Sequence, residues 1–253
     1  MPQVEIALLD QVVAWVNEAA QIALETKSDL GVELKSDGSL VTHADKRIER
    51  FFRERLSDLL PGSTVWGEEE GYRSPGKGGL WALDPIDGTS NYRFGSPHWG
   101  ISLGLILDNE VQLGVIAMPD QGKVFSGAKG HGAFLNGAPL EPIRPGPIAS
   151  VELVSYGDLT VTRYGTENIP GKMRYLGAFV ADSTMFLEGI YRAMLSDKAA
   201  LYDAAATICM ANEIGADVRY ADGSPLDIEE LLNVRPFPKA VAFLPPDSGF
   251  ILT

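Results

Sequence analysis

Trp81-Ala82-Leu83-Asp84-Pro85-Ile86-Asp87-Gly88-Thr89-Ser90-Asn91-Tyr92 is the stretch on which the reading of this chain turns. Trp81, Ala82 and Leu83 read as the end of a buried strand, and Pro85 and Gly88 force the backbone to turn directly after it. Pro85 fixes its own φ and biases Asp84 towards an extended conformation, so Asp84 and Asp87 can converge without either belonging to a helix. Two carboxylates held that way suit a hard cation. Gly88, Thr89 and Ser90 then open a helix, whose unpaired N–H groups and positive dipole end favour an anion. A cation site thus adjoins a phosphate site. Asp, Pro and Gly are also ordinary turn residues, so the rest of the chain decides between a capped turn and a metal centre.

The 253 residues carry 21 Lys and Arg against 34 Asp and Glu, a net charge of −13. An acidic surface disfavours nucleic acid and anionic membranes, so an anionic substrate must be drawn by a local positive feature such as bound metal. The single cysteine, Cys209, excludes an internal disulfide and any C-x-x-C zinc or redox motif. On an apolar helical stretch it reads as a small buried residue in a reducing compartment. The amino terminus lacks a secretory signal and no stretch approaches a membrane span, so the expectation is a soluble cytoplasmic protein.

Outward from the central stretch, residues 4–27 are expected to form a long amphipathic helix, and Ile48, Phe51, Phe52, Leu56, Leu59 and Leu60 to face a second one entered near Asp45. Lys35 to Ser39 reads as a turn or mobile loop. Ser63 to Trp66 is a strand candidate that delivers Gly67-Glu68-Glu69-Glu70-Gly71. Those acids end one strand as Asp84 ends another, which brings Glu68 or Glu69 beside Asp84 if the strands are neighbours. Four strands of an antiparallel meander are expected over 100–107, 111–118, 123–127 and 133–135. Pro142 to Pro147 is the best boundary, dividing the chain into 1–145 and 146–253. Beyond it, 151–155 and 174–177 read as strands, 181–194 as a helix, 203–214 as an alanine-rich helix headed by Asp203, and 239–244 as a last strand. An acid opening a helix is a natural cap, and capping does not exclude metal ligation.

The assembled set resembles the inositol monophosphatase family of metal-dependent, lithium-sensitive phosphatases. The residues that carry the resemblance are Lys35, Val41-Thr42-His43-Ala44-Asp45, Gly67-Glu68-Glu69, Trp81 to Tyr92, Gly130 to Gly137 and Tyr202-Asp203-Ala204-Ala205. It implies an α+β fold, a layered αβαβα sandwich of the inositol monophosphatase/fructose-bisphosphatase type, commonly a homodimer. It also implies two or three Mg2+ ions as cofactors. Glu68, Asp84 and the Ile86 carbonyl would bind one ion, and Asp84, Asp87 and Asp203 a second; Lys35 lies on a loop serving a weaker third site. The implied reaction is hydrolysis of a small phosphorylated metabolite by in-line attack of a metal-activated water. Glu68 and Thr89 would orient that water, Asp45 would support Thr89, and the Gly88 and Thr89 amides would hold phosphate.

The carboxyl-terminal half departs from that pattern where the leaving group would sit. Gly177-Ala178-Phe179 stands where members that use inositol phosphate have Gly-Ser/Thr-Ala. Ser196, seven residues before Asp203, replaces a hydroxyl-accepting glutamate; Asp197 substitutes only if its loop shifts, and Glu213 aligns with a glutamate of the family's last helix. Tyr202 replaces a tryptophan and Ala206 a glycine. Losing one buried acceptor changes substrate preference strongly. Histidinol phosphate, a sugar phosphate and phosphoadenosine phosphate therefore stand beside inositol phosphate as candidates. A regulatory protein that keeps the metal fold but binds a macromolecular partner is the alternative of another class.

Overall fold

Alternation along the central strand builds two cores at once. In the computed structural model, which describes residues 5–35, 38–69, 71–72, 74–167 and 169–252, Trp81 and Leu83 point to one face of a large sheet and Leu80 and Ala82 to the other. Ser36 and Asp37 of the expected turn, and Glu70 of the acidic run, lie outside the described residues.

Helix α1 (Ile6–Thr26) is followed by a short hairpin, β1 (Glu33–Leu34) and β2 (Leu40–Val41), and by α2 (His43–Leu59). Both helices bury one face, with Val12, Val16, Ile48 and Phe52 fully enclosed against Trp81, Leu103 and Val115. The large sheet runs β3 (Thr64–Gly67), β4 (Leu80–Asp87), then, after the short helix α3 (Thr89–Phe94), β5 (Gly100–Leu107), β6 (Glu110–Met118), β7 (Lys123–Ala128), β8 (Gly132–Leu135) and β9 (Ala138–Pro139), in that spatial order. Strands β3 and β4 are parallel and every later pair is antiparallel, so the expected meander is present. The parallel pair places the ends of β3 and β4, and with them Glu68 and Asp84, at one edge of the sheet.

The second half begins with β10 (Leu153–Tyr156), α4 (Asp158–Tyr164) and β11 (Lys172–Arg174). It continues through α5 (Phe179–Leu187), β12 (Tyr191–Ser196), α6 (Leu201–Glu213), β13 (Asp217–Tyr220), α7 (Ile228–Leu231) and β14 (Val241–Leu244). These strands form a five-stranded sheet, β11-β10-β12-β14-β13. Helices α5 and α6 lie between the two sheets, with Val180, Ala205 and Met210 in the same core as Ala82 and Ile116 of the large sheet and Phe243 of the small one. The outer face of the small sheet packs Val154, Leu195 and Ala242 beneath Val161 and Tyr164 of α4. The layers are therefore α, β, α, β, α, as the resemblance implies.

Two expectations for this half are corrected. The helix expected over 181–194 ends at Leu187, where Gly189 takes a φ of +71° that breaks the helical path. Tyr191 to Ser196 then continues as a central strand buried on both faces, Arg192 and Ser196 included, which is why it shows no clean strand alternation. The strand expected over 174–177 lies earlier, at 172–174, and 175–178 leads into α5.

Helix α6 approaches the large sheet unusually closely. A Cβ at Gly114 would fall 2.5 Å from the Ala206 Cα, and one at Gly104 2.6 Å from the Ala205 Cβ. The alanines of α6 thus rest on a glycine surface of β5 and β6, and the start of the helix is lowered onto β4 and β5.

Candidate active site

Strand β4 ends in an irregularity that turns two side chains to the same side. Its pairing with β5 shifts register between Asp84 and Asp87, and Asp84 Oδ1 accepts the Ile86 N–H at 3.0 Å across the Pro85 turn. Gly88 follows with a φ of +84°, and a Cβ there would lie 2.7 Å from that of Ala178. Only glycine fits both demands. The Thr89 hydroxyl then donates to the Ile86 carbonyl at 3.1 Å.

The third carboxylate arrives from the middle layer. Asp203, in the first turn of α6, accepts the Ala200 N–H at 2.6 Å, so capping and presentation to the site are compatible. Its carbonyl accepts the Ser102 hydroxyl at 3.2 Å, tying α6 to β5. Carboxylate oxygens of Asp84, Asp87 and Asp203 all lie within 4.8 Å of one another. The Val180 N–H, from the first turn of α5, donates to Asp87 Oδ2.

Electrostatics make this centre a demanding one. Burial, and then the charges of Glu68, Asp87 and Asp203, push the Asp84 carboxyl well above the usual carboxylate range. Burial followed by Asp203 does the same to Asp87, and burial raises Asp203, which shares a hydrogen bond with Asp84. Three acids so close hold either protons or cations. An all-oxygen donor set of carboxylates fits a hard divalent ion.

Glu68 lines the same cavity, about 240 Å³ in volume, as the three aspartates, Ile86, Gly88 and Thr89. Its carboxylate is held by Lys35, whose Nζ lies 2.9 Å from Glu68 Oε1 and 2.6 Å from Glu69 Oε1. Glu49, buried on α2, accepts the Glu69 N–H at 3.1 Å and anchors Arg53, which also donates to the Val65 carbonyl at 2.9 Å. That pair fixes the loop carrying Glu68 from behind; neither residue stands out in the sequence, because the partners lie on different elements.

Asp45 is placed differently from the expectation. Its Oδ2 accepts both the N–H and the hydroxyl of its own helix cap, Thr42, at 2.7 and 2.6 Å, while its Oδ1 is buried without a hydrogen-bond partner. No bond joins Asp45 to Thr89 among those described. Burial pushes the Asp45 carboxyl up to about 7.

Gly177, Ala178, Phe179 and Ser196 all line the far side of the cavity. Phe179 packs edge to face on Phe243, ring centroids 6.0 Å apart. Asp197 does not substitute for the missing acceptor: it is buried beneath α4, where it accepts the Thr160 hydroxyl at 3.1 Å. Glu213 sits at the other end of α6, holding the Gly130 and Gly132 amides at 2.9 and 2.7 Å. Tyr175, Asp182, Asp158 and Lys198, none of them singled out from sequence, complete the wall.

A layered sandwich with a buried aspartate cluster between its sheets defines a protein built to hold a divalent cation at the edge of a small cavity. The comparisons agree. Residues 3–236 match the model of the inositol monophosphatase family, and the chain belongs to that family. A histidinol-phosphatase of Chlorobaculum parvum is 36% identical over 115 residues, 46% of this chain and 44% of that relative. A fructose-1,6-bisphosphatase/inositol-1-monophosphatase of Aquifex aeolicus is 29% identical over 211 residues, 79% of each chain. The solved structure of a Thermotoga maritima IMPase superposes with a TM-score of 0.79 at 23% identity, covering 93% of this chain and 91% of that one. Among the described residues no helix is long and apolar enough to cross a membrane.

Proposed function

We propose that this chain hydrolyses a small phosphate monoester with Mg2+, by in-line attack of water. The observation that carries the reading is the convergence of Asp84, Asp87 and Asp203 within 4.8 Å beside the Gly88-Thr89 turn. Asp84, Asp87 and Asp203, with Glu68 and the Ile86 carbonyl, would hold two ions, with Asp84 common to both. When bound, such ions polarise the phosphoryl oxygens and make water acidic enough to attack. The chain's own groups do the rest. Glu68 and the Thr89 hydroxyl orient the attacking water, and the Gly88 and Thr89 amides hold the phosphate. Asp45, with Oδ1 buried and unpaired and its carboxyl pushed up to about 7 by burial, would accept a proton, while its Oδ2 holds the start of α2 through Thr42. Lys35 governs the access of cations to Glu68.

The substrate is a small phosphorylated metabolite of inositol monophosphate type, with histidinol phosphate and sugar phosphates as the other candidates that the relatives suggest. A homodimer is the assembly that the family resemblance implies, and light scattering tests it. Buried free Cys209 suits a reducing, cytoplasmic setting.

The deciding experiment is phosphate release from a panel of monoesters with and without Mg2+, in the native protein and in Asp84→Asn. Mg2+-dependent turnover lost in the variant supports the reading. Turnover unchanged in Asp84→Asn, or none on any ester, overturns it.

A further inference from the structure

Asn91, on α3, does not line the cavity, yet its carboxamide reaches two carbonyl oxygens of other elements. Its Nδ2 donates to the His98 carbonyl at 2.6 Å and to the Leu176 carbonyl at 2.9 Å. Both partners are acceptors only, so the network fixes which way the amide points, and both of its N–H groups are used. Neither bond caps the helix. The end of α3 is closed by backbone instead, where the Asn91 carbonyl accepts the Ser96 N–H at 2.9 Å.

The two carbonyls stand on opposite sides of the chemistry. That of His98 backs the turn assigned to phosphate, since a Cβ at Gly88 would fall 3.1 Å from its oxygen. Leu176, 85 residues from Asn91 along the chain, leads into the wall formed by Gly177, Ala178 and Phe179. The Leu176 N–H is held from the other side by Asp182 Oδ2 at 3.2 Å, and Asp182 is itself hydrogen-bonded by Ser155 of β10. Leu176 is thus strung between α3 and the small sheet. Gly177 follows with a φ of +84°, which swings the chain from this anchor onto Ala178. The segment ends where the Val180 N–H meets Asp87. The wall is therefore pinned at both ends to the 87–91 stretch, and Asn91 is the pin that is not a candidate metal ligand.

We propose that Asn91 is a positioning residue, which holds the leaving-group wall in register with the phosphate turn through the Leu176 and His98 carbonyls. The inference rests on the phosphatase reading and deepens it. In-line hydrolysis needs the water, the phosphorus and the departing oxygen on one axis, and a misplacement of about 1 Å costs about a hundredfold. The large sheet sets the phosphate end of that axis, and a segment of the second half sets the alcohol end. One amide joins them. Without its two donors the Leu176 carbonyl turns to water and the wall moves off the axis, while the turn keeps the geometry that Gly88 gives it.

The test compares Asn91→Asp and Asn91→Ala with the native chain in Mg2+, on inositol 1-phosphate, glycerol 2-phosphate and 4-nitrophenyl phosphate. Asn91→Asp keeps the shape and removes both donors. The nitrophenyl group departs as a stabilised phenolate and needs little alignment, so that ester reports the metal and phosphate machinery alone. Each variant should lower kcat on the alkyl esters by about ten- to a hundredfold, with KM changed by less than about threefold, and should spare the nitrophenyl ester to within about threefold. Inorganic phosphate, which touches the turn and not the wall, should inhibit the variants as well as it inhibits the native protein. Asn91→Ala, which leaves no charge in this half-buried position, carries the comparison if Asn91→Asp fails to fold. Equal loss on every ester, phosphate inhibition that weakens in step with kcat, or an unchanged kcat overturns the proposal and leaves the phosphatase intact. So does native turnover of the nitrophenyl ester alone, since no alkyl alcohol then uses the wall. No turnover on any of the three esters overturns the phosphatase reading, and this one with it.

Discussion

The backbone N–H of Val180 donates to the carboxylate of Asp87, so the helix between the two sheets holds directly an acid that the large sheet presents. One carboxylate is therefore oriented from two layers. Substituting Asp87 tests this double duty. Asp87→Asn keeps an acceptor for Val180 but removes a charge, whereas Asp87→Ala leaves the amide unpaired. Both should lower Mg2+ affinity, and only Asp87→Ala should also lower the chelator-treated melting temperature, which calorimetry resolves.

Asp84→Asn should separate stability from activity. The residue sits among like charges at full burial, so neutralising it relieves repulsion and raises the melting temperature of metal-free protein. The same change should lower kcat/KM by about a hundredfold or more, the several kcal/mol of charge stabilisation that such a metal centre provides. Parallel melts and assays, with Mg2+ and with chelator, give both signs.

Stability should depend on pH in the opposite sense to that of a salt-bridged protein. Burial lifts Asp45 to about 7 and Asp182 to about 6, and raises Asp84, Asp87 and Asp203. Between the ordinary carboxylate range near 4 and those raised values, the native state holds protons that the unfolded chain has released. Metal-free stability therefore falls as pH rises through roughly 4 to 7. Saturating Mg2+ should flatten that slope, and a series of urea midpoints in chelator and in Mg2+ measures it.

Lys35→Met should tighten the first divalent ion. Lys35 Nζ neutralises Glu68 and Glu69 at 2.9 and 2.6 Å from partly exposed positions, and a cation must displace it to use Glu68. Removing a pair of this exposure should improve Mg2+ affinity by about two- to fivefold, read by titration calorimetry.

Gly114→Ala should loosen the centre without touching it. The added methyl group would fall 2.5 Å from the Ala206 Cα, so α6 must rise and carry Asp203 away from Asp84. Overpacking of this kind costs about 1–3 kcal/mol. Urea unfolding should show that loss, and Mg2+ titration a weaker ion.

The centre was legible because its geometry is local to Trp81–Thr89 and its remaining ligand opens a helix of small residues. Periodicity also sufficed for the outer helices and the meander, each of which buries one face. It failed where both faces are buried: in Tyr191–Ser196 even Arg192 and Ser196 are enclosed, so polar and apolar positions do not sort by face, and the segment merged with α5. Long-range partners were the other blind spot. Asp197 lies one residue from Ser196 yet points beneath α4 to Thr160, and Glu213 serves the glycine turn at Gly130–Gly132. Asp182 also went unmarked, because its place on the cavity depends on how α5 packs between the sheets.

The seat of α6 on Gly104 and Gly114 also orders events during synthesis. Asp84 and Asp87 leave the ribosome more than a hundred residues before Asp203, and the sheet that receives α6 ends at Pro139. A nascent chain can thus complete the large sheet with Glu68, Asp84 and Asp87 in place before Asp203 is made. The full set of acids exists only once α6 has docked on that sheet, so the half-built centre and the finished one differ by the one carboxylate that the second half supplies.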